Sequence, residues 1–392
     1  MMQKAFVFVV CGAAEHLNML KESYAWLAAR TNLPIYVVTD SKRNEWHIQY
    51  ENLIDVPVDP SFNHHQAAIW LKTSLHKILP TDYLFAYLDS DVLSWSNKVD
   101  DIFNHYVSPV TFAPDHCKLN QFSSYAVNCG CLATLSSVRE MIQKEIIKQD
   151  ILSLSSDVEI QQKRKVLFDL LAQNKRSFIG KLFFYTRYFL SRTHFQVGPF
   201  YFNKKLKIWN DESGTAIMYH VNMSKIAEKL NLRWNVLKQE LQLTDGRPVF
   251  KDSCTHLPQL IEKKFSITID NVNWQHWNGG VFVFHTGNNR FMQTWHELTM
   301  QIFDDPEWKT RDQGTLVATV WKLGLQNHPT LEREWNLIID YYTPGIELTG
   351  DGIFIMQGKK FRPHFIHVYH HFGDTSWSLW NKIASFKPQH YL

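Results

Sequence analysis

Over the first hundred residues, short apolar runs alternate with segments whose apolar positions recur every three or four residues. That is the pattern of a parallel sheet covered by helices on both faces. Residues 6–10 read as a strand, 17–30 as a helix, and 34–39 and 53–58 as further strands. Residues 65–79 carry Ala68, Trp70, Leu71, Leu75, Ile78 and Leu79 at helical spacing and stop at Pro80, which cannot continue a helix. Residues 83–88 are almost wholly apolar, as suits a central parallel strand buried on both faces. Residues 110–113 and 127–133 also read as strands, the second placing Cys129 and Cys131 on one face.

The texture then changes to helices with polar spacers, with an aromatic-basic stretch at 175–207. Strand character returns at 267–268 and 280–284, followed by helices at 290–303 and 313–323 and short strands at 335–339, 353–356 and 365–369. The reading is an α/β fold with a mostly parallel, Rossmann-like central sheet. Residues 1–135 and 266–392 form two halves of one sheet, and 136–265 form a mainly helical insertion.

Composition narrows the classes. With 392 residues, 45% hydrophobic and 14% aromatic, the chain can bury a sizeable core and is not disordered. A net charge of +3, from 41 basic and 38 acidic residues, gives no electrostatic reason to expect nucleic acid. Five scattered cysteines fit reduced thiols and a cytoplasmic protein better than a disulfide framework. No run reaches the roughly 18 apolar residues of a spanning helix.

The strand at 83–88 ends in Asp89-Ser90-Asp91. Open α/β sheets bind ligands beyond the carboxyl ends of their strands, and two carboxylates one residue apart there can converge on a hard cation that grips a diphosphate. An Asp-rich turn at a strand end is the plainer alternative; the uninterrupted apolar strand before it and Val92-Leu93 after it favour the metal.

The stretch Leu71-Lys72-Thr73-Ser74-Leu75-His76-Lys77-Ile78-Leu79-Pro80, followed by Tyr87-Leu88-Asp89-Ser90-Asp91-Val92, resembles the donor-binding half of GT-A fold glycosyltransferases, particularly the glycogenin and lipopolysaccharide galactosyltransferase group. Trp277-Asn278-Gly279-Gly280-Val281-Phe282, Arg311-Asp312-Gln313-Gly314 and Phe365-Ile366-His367-Val368-Tyr369 resemble later segments of that group, in the same order. The resemblance covers residues 1–135 and 265–380. It implies Mn2+ or Mg2+ held by Asp89, Asp91 and His367, and a nucleoside-diphosphate sugar touching Cys11, Gly12, Asp40, Lys72, Asp89, Ser90, Gly279, Gly280 and Gly373. It also implies a catalytic group of Asp312, Gln313 and Asn278, and leans to retention of configuration in hexosyl transfer.

Each residue also has a plainer reading. Gly279-Gly280 is an ordinary turn as well as a close approach to sugar, and Asp312 is equally a helix cap. His370 and His371 are substitutes for His367 as ligand. The family's late lysine-proline-tryptophan is missing after Gly373, and Lys360, Arg362 and Lys382 are the candidate replacements.

Residues 181–192, with their mixed aromatic, leucine and basic character, read as a packed amphipathic helix or as a peripheral contact with the inner face of a membrane. The acceptor is then a saccharide, a lipid-linked glycan or a protein. His116, Cys117, Cys129 and Cys131 lack the spacing of a zinc knuckle. The competing functions are a nucleotidyltransferase, opposed by the single glycine and the acid in Cys11-Gly12-Ala13-Ala14-Glu15, and a non-catalytic carbohydrate-binding protein.

Overall fold

The apolar runs at the start of the chain are strands buried on both faces. A computed structural model describes residues 2–287 and 289–388. The first part contains β1 (Gln3–Val9), α1 (Ala14–Ala28), β2 (Ile35–Thr39), β3 (Asn52–Asp55), α2 (His64–Thr73), α3 (Leu75–Ile78), β4 (Tyr83–Leu88), β5 (Val92–Ser94), β6 (Val110–Lys118) and α4 (Leu119–Ala126). β1 pairs in parallel with β2 and with β4, and β2 with β3. The register Phe8↔Leu88 brings the carboxyl ends of β1 and β4 level, so Cys11 and Asp89 leave the sheet at the same edge. The helix expected at 65–79 is two helices. α2 starts in a capping box between Asn63 and Gln66, and the chain leaves helical geometry at Leu79 before Pro80, as the residue before a proline must.

Residues 130–253 form a separate compact unit, where the sequence pattern set 136–265. The strand expected at 127–133 is absent. Val127 makes one isolated bridge, Gly130 takes φ +66°, a left-handed turn that glycine adopts without strain, and α5 (Cys131–Gln149) begins at once. α6 (Val158–Asn174), α7 (Phe178–Leu190), β7 (His194–Val197), β8 (Phe200–Asn203), β9 (Ile208–Asn210), β10 (Ala216–Tyr219), α8 (Met223–Lys229), β11 (Arg233–Asn235) and β12 (Glu240–Gln242) follow. Strands β7 to β10 make an antiparallel four-stranded sheet in the order β10-β9-β8-β7, a feature the helical reading missed. Leu167 and Phe184 form one apolar cluster with Phe195 and Trp209 of this sheet. The buried Arg164–Asp150 pair (2.7 Å) is fully partnered, since Arg164 also donates to the Ile217 carbonyl (3.0 Å) and Asp150 accepts from Tyr219 N–H (3.0 Å). A cavity of about 590 Å3 lies beside Phe184, Tyr188, Trp209 and Lys175.

The chain then rejoins the first unit through α9 (His256–Phe265), β13 (Gln275–His285), α10 (Arg290–Gln301), α11 (Arg311–Lys322), β14 (Leu337–Ile339), β15 (Ile346–Leu348), β16 (Phe354–Met356), β17 (Lys359–Phe361), β18 (Phe365–Val368) and α12 (Ser378–Ala384). β13 inserts antiparallel between β4 and β6, giving a six-stranded sheet in the order β3-β2-β1-β4-β13-β6. The fold is therefore α/β with a largely parallel sheet. Residues 267–268 are not a strand, and β13 starts at Gln275, five residues before the strand read at 280–284, so that it carries Trp277-Asn278-Gly279 as well. The last strands do not extend this sheet: β14-β18-β5 and β15-β16-β17 are separate three-stranded sheets. Hydrophobic layers cover both faces of the main sheet, with Phe85, Phe112, Phe282 and Trp295 in one and Phe6, Phe8, Ala86 and Val281 in the other.

Candidate active site

β4 delivers two side chains to one place. Side chains alternate along a strand, so Tyr87 and Asp89 point the same way, and the Tyr87 hydroxyl donates to Asp89 Oδ1 (2.5 Å). Lys72, in the last turn of α2, reaches the same oxygen (3.1 Å) and also Asp312 Oδ2 (3.3 Å) at the start of α11. Burial opposes the Lys72 charge, but Asp89 and Asp312 outweigh it and hold the ammonium pKa above its ordinary value. Burial, reinforced by Asp89, pushes the Tyr87 hydroxyl well up, so it remains a donor. Lys72 thus ties together two carboxylates that come from opposite halves of the chain.

The neighbouring Asp91 faces His367 on β18, with Nε2 to Oδ1 at 3.2 Å. Burial disfavours both charges, yet their mutual attraction dominates, lowering Asp91 and raising His367 from their ordinary values. His367 Nδ1 lies 3.2 Å from Asn336 Oδ1. Asn336 Nδ2 donates to Asn278 Oδ1 (3.0 Å), Gly280 N–H donates to the same oxygen (2.8 Å), and Asn278 Nδ2 donates to Asp115 Oδ2 (3.0 Å). This chain of amides fixes the imidazole against Asp91. Asp115 carries its charge in spite of burial, held low by His116, His276 and Asn278.

Ligand atoms of Asp89, Asp91 and His367 lie within 4.8 Å of one another. The other late histidines face elsewhere: His364 meets Ser96 (2.8 Å), His370 meets Asp340 (3.0 Å) and His371 meets Asp374 (2.6 Å). Gly280 makes the arrangement possible. A Cβ there would stand 2.5 Å from His367 Cε1 and 2.9 Å from Asn278 Oδ1, and the Gly280 carbonyl accepts Asp89 N–H (2.8 Å).

A cavity of about 620 Å3 opens above these groups, lined among others by Cys11, His65, Lys72, Asp89, Asp91 and Asp312. Ser90 also lines it, and its carbonyl accepts from Ser23 Oγ (2.7 Å). Cys11 keeps its proton, raised to about 11 by burial and by Asp40. Gln313 sits beside Gly279, its Nε2 only 3.0 Å from where a Cβ would be.

Three of the residues expected at the donor also have structural tasks. Gly12 N–H donates to Asn44 (3.0 Å). The Asp40 carboxylate accepts from Arg43 Nε (3.0 Å) and Val58 N–H (3.0 Å). Gly373 (φ +80°) turns the chain after β18 and has no part in the cavity lining. Lys360, Arg362 and Lys382 do not line it either; among the described lining residues the basic side chains are Lys72 and the histidines His16, His64 and His65.

Sequence reasoning did not find Tyr87, Asp115, Asn336, Tyr369 or these three histidines. Tyr87 carried a signal, its two-residue spacing from Asp89. Asn336 carried none.

No protein-family model matches the chain, and no curated protein matches it significantly. Among solved structures it is similar to mouse xyloside xylosyltransferase 1, at 8% identity and a TM-score of 0.34 over 86% of this chain and 88% of that one. It is similar to the bifunctional glycosyltransferase WbbM, at 8% identity and a TM-score of 0.36, over 94% of this chain and 45% of that one. Glycosyltransferase GlyE of Streptococcus pneumoniae TIGR4 aligns at 16% identity and a TM-score of 0.21, over 29% of each chain. The functional reading therefore rests on the geometry of the site.

Proposed function

We propose that the chain is a metal-dependent glycosyltransferase of GT-A type that moves a sugar from a nucleoside diphosphate to a saccharide, lipid-linked or protein acceptor. The observation that carries this reading is the convergence of Asp89, Asp91 and His367 within 4.8 Å beside a cavity large enough for a sugar nucleotide. Two carboxylates and one imidazole suit Mn2+ or Mg2+, leaving positions for diphosphate oxygens. When bound, the ion supplies positive charge against the departing diphosphate.

The protein groups have their own tasks. Lys72 holds Asp89 and Asp312 at fixed positions and adds positive charge where the donor phosphates enter. Asp312, paired with Lys72 (3.3 Å), is poorly suited to act as a free base and better suited to orient the reacting sugar; this fits a retaining hexosyl transfer. Asn278, Asn336 and Gly280 set the His367 ring. Gly12 N–H is already bonded to Asn44, which argues against the phosphate-cradling loop of a nucleotidyltransferase.

The deciding experiment is a panel of sugar nucleotides assayed for manganese-dependent release of nucleoside diphosphate. Turnover of at least one donor, lost in Asp91→Ala, is the expected result. No turnover of any donor would return the chain to a non-catalytic carbohydrate-binding role, and an Asp91→Ala variant that works normally would overturn the metal site proposed here.

The reading extends to a peripheral contact with an anionic membrane through α7. Only Phe184 of α7 is buried, while Phe178, Ile179, Leu182, Phe183, Phe189 and Leu190 are 58–83% exposed. At 100° per residue these six fall on one arc of about 140°, flanked by Lys181 and Arg187. Residues 170–210 contain eight Lys and Arg and no Asp or Glu, the charge an anionic bilayer attracts. No helix of the described residues is long and apolar enough to cross a membrane.

A further inference from the structure

We propose that the first unit holds a structural zinc ion on Cys129, Cys254 and His256. Cys129 and Cys254 are 125 residues apart in sequence, yet their sulfurs lie 3.8 Å apart, and ligand atoms of all three residues fall within 4.8 Å of one another. Neither thiol is in a disulfide, which would need about 2 Å. Two thiolates sharing a tetrahedral zinc at about 2.3 Å each stand about 3.8 Å apart, the separation found. The imidazole of His256 supplies a third ligand, leaving one tetrahedral corner for water or a further donor. Two sulfurs and a nitrogen select zinc over the oxygen-seeking ions expected at Asp89 and Asp91.

The surroundings hold these ligands in place. Cys254 N–H donates to the Asn120 carbonyl (2.8 Å), and Leu257 N–H donates to Ser123 Oγ (2.9 Å). Ser123 Oγ is itself 3.1 Å from Cys254 Sγ, a position from which it stabilises a thiolate as outer partners of metal ligands do. On the other side, Asn128 is fixed through its N–H to the Glu307 carbonyl (2.9 Å) and through its amide to the Pro306 carbonyl (2.6 Å). The spacing argument from sequence opposed zinc because it set Cys129 on a strand and could not see Cys254 and His256. An ion here closes a long loop of chain at its two ends, where a metal clip constrains the unfolded state most.

The test uses the full-length protein, purified without chelators and dialysed against metal-free buffer. Elemental analysis is expected to find about one zinc per chain. The zinc should be retained in Asp91→Ala and lost in the double variant Cys129→Ser with Cys254→Ser. Exchange with cobalt should give intense thiolate-to-cobalt absorption in the wild type, a reading that stands even if the double variant fails to fold. Folded wild-type protein with neither zinc nor the thiolate band overturns the proposal, as does a folded double variant that keeps its zinc. Neither outcome touches the glycosyl-transfer reading, which Asp91→Ala tests by itself.

Discussion

Replacing Gly280 by alanine adds one methyl group at the point where β13 meets His367, the proposed metal ligand. Gly280 does not use the left-handed region reserved for glycine, so the substitution brings no backbone strain and its whole effect is collision. The new carbon would lie 2.5 Å from His367 Cε1, while carbon atoms rest at about 3.5 Å, so the ring must retreat by about 1 Å. It is 3% exposed and walled in by Asn336, and its 3.2 Å contact with Asp91 is lost on the way. Overpacking of this kind costs about 1–3 kcal/mol of stability, and displacing a ligand's support costs roughly 10- to 100-fold in metal affinity. The assay is a manganese titration of donor hydrolysis at 25 °C, with thermal melting of the same samples. The midpoint should rise by that factor while the protein stays folded. Gly350→Ala is the control, because a Cβ there meets nothing within 4 Å. If Gly280→Ala titrates like the wild type, His367 is not a ligand and the proposed site is wrong.

Three further outcomes are expected. Asn336→Ala removes the partner of His367 Nδ1 and should weaken manganese binding roughly tenfold or more, with turnover recovering at saturating metal; an unchanged titration would remove Asn336 from the site. Lys72→Met leaves Asp89 and Asp312 without their shared cation and should destabilise the protein by roughly 3 kcal/mol in urea unfolding; a neutral result would mean that the tie is not needed for folding. His276 is fully buried and stacked on Phe122 (4.0 Å), and burial lowers its pKa from 6.5 to about 4. The unfolded chain therefore takes up a proton the folded one refuses. The contribution of His276 should be fully present above pH 6.5 and fall by about 3 kcal/mol as pH drops to 4; His276→Gln should remove that part of the slope and leave the parts due to His76 and His296, which burial also lowers to about 4.

How much of this was legible follows from the range of each signal. The strands β1, β2 and β4 and helices α1 and α2 could be read because apolar runs and helical periodicity are local. Asp89 and Asp91 could be read because they end such a run. The placement of β13 between β4 and β6 could not, since pairing partners nearly two hundred residues apart leave no trace in either segment. Gly130 misled for a local reason: the run Val127 to Ala133 is apolar enough for a strand, and only a left-handed glycine inside it reveals the turn. Asn336 follows a short 3-10 turn and belongs to no spacing pattern, so only the folded chain connects it to His367. Asp40 ends a strand at the edge where ligands bind, and only the folded chain shows that Arg43 and Val58 N–H hold its Oδ2.

The insertion of β13 between two earlier strands also sets a schedule for synthesis. β6 ends at residue 118 and β13 starts at 275, so 157 residues (275 minus 118) must be translated before the gap can close. At roughly 5–20 residues per second the nascent chain spends on the order of ten seconds with β4 and β6 unable to meet the strand that joins them. Their bare edges are templates for pairing with other chains. Shielding of those edges until Gln275 emerges should therefore raise the yield of soluble protein.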